Sequence, residues 1–259
     1  VLAAGQTRLT ASDGGDASGE LDVTVTERPE FDAYDDSSLY EGGVWSNSPS
    51  HISGFSDWTE TLSPETNDSF RGRFIGASAI GGINEGGTAF GMYANYTGAQ
   101  PDPLPEVKMS REFPAPMVSG QTFSVDVAYN YSGGTKGFKL KGDFEGTPYE
   151  RFELYNSGGD TWSYKLDAGT PVVIWSNYLA GGFMGRVQAI CTAPNTFTFS
   201  FLRGAEETPV LVEDVVLPGT IDQIEFYNYN GGSGDEENFY FNRMYVTKAP
   251  AGPPEIGEI

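Results

Sequence analysis

The chain has very little cysteine and histidine. Among its 259 residues there is one cysteine, Cys191, and one histidine, His51. A single cysteine excludes an internal disulfide, and one cysteine with one histidine cannot fill a typical zinc shell. A Ser-His-Asp or Cys-His nucleophilic site would have to use His51, which lies in the turn-rich segment SPSHISGF. We therefore interpret His51 as a loop or packing residue and Cys191 as a small buried hydrophobe.

Positive charge is also scarce. Fifteen Lys and Arg against 36 Asp and Glu give a formal net charge of −21. Phosphate contacts need a surface rich in Lys and Arg, so we predict no nucleic-acid partner. No apolar run reaches membrane-spanning length, and we predict no membrane insertion. The acidic balance is typical of a protein kept soluble by self-repulsion, and we expect it to be secreted or at the cell surface.

What the sequence does contain is regular alternation of apolar and polar residues. QTFSVDVAYN places Phe123, Val125 and Val127 on one face, and GFKLKGDF, ERFELYN and TFTFSF repeat the pattern. A side-chain period of two predicts strands with one buried and one wet face. Nothing comparable predicts a helix, and 34 Gly and 16 Pro supply turns. We predict an all-β fold in which two antiparallel sheets pack face to face as a β-sandwich.

The pattern divides the chain into three segments. Residues 1–28 predict a hairpin, which either ends a preceding immunoglobulin-like repeat or adds edge strands to the main domain. The pattern over residues 29–247 predicts the sandwich itself. Residues 248–259, KAPAGPPEIGEI, predict an extended Pro-rich linker towards another module. We expect the chain to be a piece of a longer polypeptide, with neighbouring domains of that polypeptide among its partners.

The order of elements from Phe113 to Val246 resembles the concanavalin A-like jelly roll of legume-type lectins, laminin-G-like domains and many glucanases. A strand FSVDV is followed by a Gly-rich turn before GFKL, then by RFELYNSGG, TFTFSF, IDQIEFYNYNGGSG and the closing FYFNRMYV. The pieces FDAYDD, GFSDW and YNYNGGSG are also similar to a module of large secreted bacterial proteins. The resemblance covers about half of the chain and implies a jelly-roll module.

The catalytic patterns of this family are missing. Its glucanases carry acids at alternating positions of one strand, as in E-x-D-x-x-E, and no such run is present. Glu150 and Glu153 are predicted to point to opposite faces, and Asp235, Glu236 and Glu237 lie in a polar turn. The Arg-rich, QIH-type and Tyr/Lys strands of the family's lyases are also missing. We predict that the chain is not an enzyme; two carboxylates about 5–10 Å apart in one cleft would contradict this.

The resemblance also implies a structural Ca²⁺ that joins the first and last strands. In the family it is held by backbone carbonyls and an acidic or amide side chain on the closing strand. The matching positions are Asp32 and Asn242, where Asn242 replaces the more usual Asp. Asp35 and Asp36 add hard oxygen ligands beside Asp32. We predict a calcium site from these four residues, with a solvated acidic turn as the alternative.

Aromatic residues give the best indication of a ligand, because the flat C–H faces of sugars stack on exposed rings. We predict ligand binding by side chains on the strands of the sandwich: Trp162, Tyr164, Trp175, Asn177, Tyr178, Tyr227 and Tyr229. Core packing is the alternative for each Trp. The predicted function is a non-catalytic carbohydrate-binding module that binds a polysaccharide or glycan. The alternative is a structural or adhesive spacer of a cell-surface protein without a glycan site.

Overall fold

The structure is a computed structural model that forms two compact units, Val1–Glu30 and Phe31–Ile259. It describes residues 30–49, 51, 53–64, 68–167, 169–176, 183–204, 206, 208–232 and 237–250, and the backbone of two earlier strands. These two strands, β1 (Gly5–Ser12) and β2 (Ser18–Val25), form an antiparallel hairpin. The origin of this hairpin in an immunoglobulin-like repeat stays a prediction, as does the linker at residues 248–259.

The described part of the second unit consists of strands and two short 3-10 helices, Ser37–Leu39 and Glu41–Gly43. Its strands in chain order are β3 (Phe31–Asp35), β4 (Thr59–Leu62), β5 (Ser69–Gly76), β6 (Ala89–Tyr96), β7 (Glu106–Glu112), β8 (Thr122–Tyr129), β9 (Thr135–Phe144), β10 (Thr147–Asn156), β11 (Trp162–Leu166), β12 (Val172–Trp175), β13 (Phe183–Ala193), β14 (Thr196–Arg203), β15 (Val210–Val216), β16 (Gln223–Tyr229) and β17 (Phe239–Thr247). No helix in these described ranges has the length and apolar character that a membrane span requires.

The strands form two antiparallel sheets. The seven-stranded sheet has the order β12-β11-β10-β9-β16-β7-β4, and the eight-stranded sheet has the order β15-β14-β13-β8-β17-β6-β5, with β3 paired to β17. The hairpins β9–β12 and β13–β15 lie in different sheets, and the consecutive strands β16 and β17 each enter the middle of one sheet. The chain thus crosses repeatedly between the layers, which confirms the predicted all-β jelly-roll sandwich.

The core lies between the inner faces of the two sheets, as the alternation predicts. Phe123, Val125 and Val127 of β8 are fully buried. Rings from opposite sheets stack across the core: the centroids of Phe152 on β10 and Phe199 on β14 lie 4.5 Å apart. Cys191 is a buried free thiol, and burial raises its pKa.

A buried ion pair joins the two layers. Asp35 at the end of β3 and Arg111 on β7 have fully buried side chains in direct contact. The hydroxyl of Tyr40 donates to Asp35 Oδ2 over 2.9 Å, and His51 Nε2 lies 3.0 Å from Asp35 Oδ1. Burial raises the pKa of the Asp35 carboxyl, an effect that Arg111 opposes. His51 is therefore a packing residue, as predicted, with its ring edge-on to Tyr40.

The guanidinium of Arg111 is held by further contacts. It donates to Ser56 O and Ser53 Oγ, each over 2.8 Å. Its carbon lies 4.6 Å from the ring centre of Trp58 and 5.1 Å from that of Phe55. A charge held in this way tolerates burial only while its partner remains, because an unpaired buried charge costs several kcal/mol.

We expect Arg111→Met to lower the free energy of unfolding by about 3–5 kcal/mol, because Asp35 is left buried without its cation. Chemical denaturation followed by circular dichroism measures this loss. Lys139→Met removes a partly exposed ammonium from Glu150 and Glu153, but Lys165 still pairs with both carboxylates, so the loss should be about 1 kcal/mol or less. Adding Asp35→Asn to Arg111→Met should restore part of the stability. Equal losses for Arg111→Met and Lys139→Met would show that the buried pair has no special role.

Candidate functional site

Three of the rings predicted to bind a ligand lie in the core. Trp162, Tyr164 and Trp175 are buried, and the two tryptophans pack edge to face with centroids 6.5 Å apart. Tyr164 faces inward because the register with β10 places it beside Leu154, on the core face. The structure thus corrects the prediction that these rings form an exposed stacking surface. The other two predicted residues of this region, 177 and 178 (Asn177 and Tyr178), lie outside the described residues.

Tyr227 and Tyr229 of β16 lie on the outer face of the seven-stranded sheet, alternating with the buried Phe226. Tyr227 is nonetheless buried, because other side chains on this face cover it. Its hydroxyl donates to Glu153 Oε1 over 2.6 Å, and Lys139 Nζ lies 5.5 Å from its ring centre. Burial, with Glu153 close by, raises the pKa of Tyr227 well above its ordinary value. Of these two tyrosines, only Tyr229 is half-buried and keeps part of its surface open.

Glu150 and Glu153 share this outer face instead of pointing to opposite faces. A β-bulge between Glu150 and Phe152 shifts the register against β9 and changes the side on which Glu150 lies. Lys139 Nζ lies 2.7 Å from Glu150 and 3.7 Å from Glu153, and Lys165 Nζ lies 3.3 Å and 2.5 Å from the same two carboxylates. The hydrogen bond to Glu153 raises the pKa of Lys165. Both carboxylates are thus held by the same two ammonium groups.

A groove of about 630 Å³ lies on the outer face of the eight-stranded sheet, a volume typical of small-molecule sites. We call it the aromatic groove; it is lined by Phe70, Phe74, Ala77, Tyr93, Asn95, Tyr96, Thr97, Asn238 and Tyr240. None of these described lining residues is charged, although the chain carries a net charge of −21. The groove therefore offers rings, amides and hydroxyls.

The aromatic groove exists because β5 turns phenylalanines to its outer face and arginines to its inner face, the reverse of a usual amphipathic strand. Phe70 and Phe74 lie on its outer face, and Phe70 is 51% exposed. Register fixes this orientation, because Arg73 is paired with the core residue Met92. The guanidinium of Arg73 consequently reaches inward and lies 5.4 Å from the ring centre of Trp45. An arginine stem can cover apolar surface in this way, but a phenylalanine facing solvent gains no burial.

Glycines make room for the rings of the aromatic groove. Phe74 pairs across the strands with Gly91, and a Cβ on Gly91 would overlap the Phe74 ring. Tyr93 lies in the same way over Gly72, where a Cβ would come within 2.8 Å of the tyrosine hydroxyl. Phe74 also packs edge-on to Tyr240, with centroids 5.9 Å apart. The rings are thus held on the sheet by neighbours of matched size.

Asn238 lies in the wall of the aromatic groove. The residue is 4% exposed, and its Nδ2 lies 3.4 Å from the hydroxyl of Tyr240. Its Oδ1 has no hydrogen-bond partner among the residues that the structure describes. A buried polar atom without a partner costs about 1–3 kcal/mol.

Lys136 supports the segment that carries Asn238. Its side chain is fully buried, and its Nζ donates to Tyr131 O and to Glu237 O, both over 2.8 Å. Burial lowers the pKa of Lys136 from 10.5 to about 7, and the nearby carboxylate of Glu237 opposes this shift. Because Glu237 directly precedes Asn238, the ammonium of Lys136 helps to fix the wall of the groove.

Three of the four predicted calcium ligands are held by protein donors. Asp32 accepts from Gln121 Nε2 over 2.8 Å. Asp36 caps the first 3-10 helix by accepting from the backbone N–H of Ser38 over 2.7 Å. Asp35 is occupied by the ion pair described above. In the described ranges of the chain, no group of three or more His, Cys, Asp or Glu side chains could hold a metal ion.

Asn242, the fourth predicted ligand, turns its amide nitrogen to the oxygens that a cation would need. Its Nδ2 donates to Ile83 O and Thr88 O, each over 3.0 Å. An N–H group cannot coordinate a cation, and the carboxylates of the prediction do not converge on it. The residues present therefore do not fit the predicted calcium site.

Comparison with known proteins gives neighbours in structure only. No protein-family model matches the chain, and no curated protein matches it in sequence. Similar solved structures include an endo-β-1,4-glucuronan lyase from the fungus Trichoderma reesei (9% identity, TM-score 0.47, 85% of this chain and 96% of that chain). Another is a β-1,3-glucanase from Mycobacterium marinum, with 13% identity and a TM-score of 0.44 over 85% of this chain and 100% of that chain. A third is the exoplasmic/lumenal domain of VIP36 in its Ca²⁺/Man3GlcNAc-bound form, with 8% identity and a TM-score of 0.40 over 77% of this chain and 89% of that chain. These neighbours are concanavalin A-like jelly-roll proteins, the fold that the sequence resembles.

We expect the contribution of Lys136 to stability to depend on pH. Its pKa in the folded protein lies below its ordinary value, so the unfolded chain binds more protons above about pH 7. The stability of the wild type relative to Lys136→Met should therefore rise from about pH 7 to about pH 9, by at most about 1.4 kcal/mol per pH unit. Urea unfolding at a series of pH values measures this slope.

The matched control is Lys108→Met, which removes a half-exposed amine on β7. The stability of the wild type relative to this variant should show little dependence on pH over the same range. Parallel pH profiles for Lys136→Met and the wild type would contradict a buried amine with a lowered pKa.

Proposed function

We propose that the chain is a non-catalytic carbohydrate-binding module whose glycan lies in the aromatic groove. The inverted strand β5 is the observation that carries this proposal. Full burial of a phenylalanine side chain stabilises a fold by about 1.5–3 kcal/mol. Phe70 of β5 contributes only part of this free energy because half of its side chain is exposed. An apolar patch with a polar rim on a soluble domain marks an interaction site. Phe74 and Tyr93 extend the same surface from the exposed edge towards Tyr240.

The chemistry of the groove supports a neutral glycan as the ligand. A sugar ring has an apolar C–H face for the rings of Phe70 and Phe74 and hydroxyl groups for hydrogen bonds. Asn95, Thr97 and Asn238 line the same space and supply amide and hydroxyl groups for these hydrogen bonds. Because no lining side chain among those described is charged, nothing in the groove compensates the carboxylates or sulfates of an acidic glycan. The net charge of −21 repels such ligands further.

We propose that the module acts outside the cell as one part of a longer polypeptide. The acidic composition supports this, as does the division into two compact units. The alternative, a spacer module without a glycan site, would be expected to cover its outer faces with Ser, Thr and charged residues. The rings of β5 and β6 favour the binding module over that alternative.

The binding experiment is affinity electrophoresis through gels that contain neutral or acidic polysaccharides. We expect at least one neutral polysaccharide to retard the protein. Phe70→Ala should weaken that binding by about tenfold or more, which corresponds to about 1.4 kcal/mol. The matched control is Phe144→Ala, which removes a ring 39% exposed at the end of β9, outside the groove. Equal effects of the two variants would contradict the groove as the site, and no retardation by any polysaccharide would favour the spacer.

A second pair of variants tests the shape of the groove without removing a ring. Gly91→Ala forces the Phe74 ring to move, since the added Cβ would overlap it. The control is Gly81→Ala, because a Cβ on Gly81 meets nothing within 4 Å. We expect Gly91→Ala to weaken retardation and Gly81→Ala to leave it unchanged. Thermal melting of both variants separates loss of binding from loss of fold.

We expect no hydrolysis of the bound polysaccharide, because Lys139 and Lys165 neutralise the pair Glu150 and Glu153. A reducing-end assay on polysaccharides that retard the protein measures this. Glu153→Gln lies on the other sheet and should leave retardation unchanged. New reducing ends that disappear in Glu153→Gln would instead identify an active site on the seven-stranded sheet.

A further inference from the structure

The side chain of Asn242 is enclosed by oxygen atoms from three parts of the chain. It lies on β17 and is fully buried. Its Nδ2 lies 3.0 Å from Ile83 O, 3.0 Å from Thr88 O and 3.2 Å from Ser37 Oγ. Its Oδ1 accepts from the backbone N–H of Ser37 over 2.9 Å. We call these three oxygens around Nδ2 the Asn242 cage.

The Asn242 cage contains more acceptors than the amide can satisfy. An amide nitrogen has two hydrogens, and three oxygens face it. The hydroxyl of Ser37 lies 3.0 Å from that of Thr88, so one of these hydroxyls donates to the other. The reverse orientation of the amide would set its oxygen against two carbonyl oxygens and its nitrogen against the N–H of Ser37. The oxygens of the cage can therefore be satisfied by a hydrogen-bond donor or by a cation, but not by another acceptor.

The charges beside the cage are already paired. Arg243 follows Asn242 at a bulge of β17 and has a positive φ of 48°. Its Nε donates to Asp126 Oδ2 over 2.5 Å, and its Nη1 lies 3.5 Å from Glu85 Oε2. Arg186 Nε donates to the other oxygen of Asp126 over 2.8 Å. These ion pairs occupy Asp126 and Glu85, and in the described part of the chain no group of three or more His, Cys, Asp or Glu side chains could hold a metal ion at the cage.

We propose that the amide of Asn242 takes the place of a cation in this cage. Its N–H groups join β17 to the segment 83–88 and to the first 3-10 helix, as a calcium ion joins oxygen ligands in other proteins. The substitution Asn242→Asp exchanges the nitrogen for oxygen, and a carboxylate then faces Ile83 O, Thr88 O and Ser37 Oγ. Hard oxygens held this close require a cation between them. This one substitution therefore converts a link between strands that needs no metal into a calcium site.

The test compares thermal melting in excess EDTA with melting in millimolar CaCl2. We expect the wild type to melt at the same temperature in both solutions. Asn242→Asp should melt lower in EDTA by about 5 °C or more, since buried hydrogen bonds give way to charge repulsion. It should recover most of that loss in CaCl2. A wild type destabilised by EDTA, or an Asn242→Asp variant with no calcium response, folded or not, would overturn the proposal.

Three further variants show whether the response belongs to the cage. Asn242→Ala should melt lower in both solutions, because it offers calcium no side-chain oxygen. Asn228→Asp is the matched control: Asn228 is fully buried and donates to Met92 O and Glu237 O, with no third oxygen recorded around its amide nitrogen. It should be destabilised without recovery in calcium. Adding Ser37→Ala to Asn242→Asp should reduce the calcium response, and an unchanged response would place the metal elsewhere.

Discussion

The pairing of β5 with β6 fixes the side of the eight-stranded sheet on which each of their side chains lies. Successive residues of a strand point to opposite faces, so a register that buries Met92 and Phe90 also sends Phe74 outward. A shift of β5 by one residue would turn Phe70 and Phe74 to the core face and Arg71 and Arg73 to the outer face, while β6 keeps its orientation through β17. The register that completes the core is therefore the same one that creates the aromatic groove.

The sequence predicts much of the fold and little of the site, for one physical reason. Alternation shows that two faces differ, and it shows which face is buried where one is plainly apolar, as at Phe123 and Val125. It does not decide whether Trp162 and Tyr164, which share one face of WSYKL, pack in the core or bind a ligand, because aromatic rings serve both purposes. On β5 the sequence SFRGRFIG does not show that Phe70 and Phe74 lie on the outer face, and the pairing with β6 does. The signal that could have identified the groove is the alternation of rings with glycine in SFRGRFIG and AFGMYANY.

Local irregularities set the second limit on prediction. The bulge in β10 brings Glu150 to the side of Glu153, and the bulge in β17 turns Asn242 and Arg243 towards the segment 82–88. A bulge adds one residue to one strand and leaves no clear trace in the hydrophobic pattern. The errors in the carboxylate pair and at Asn242 both lie next to such a bulge.

The scarce cations of this chain are largely used within its own structure. Arg111 neutralises a carboxylate between the sheets, Arg186 and Arg243 neutralise Asp126, and Lys139 and Lys165 hold two glutamates on an outer face. The excess negative charge is left to the remaining surface, away from the lining of the groove. The segment between β5 and β6 connects the two sites of interest: Ile83, whose carbonyl forms part of the Asn242 cage, packs in one cluster with Tyr240, which lines the groove. The buried amide contacts of Asn242 thus reach the wall of the groove through Ile83.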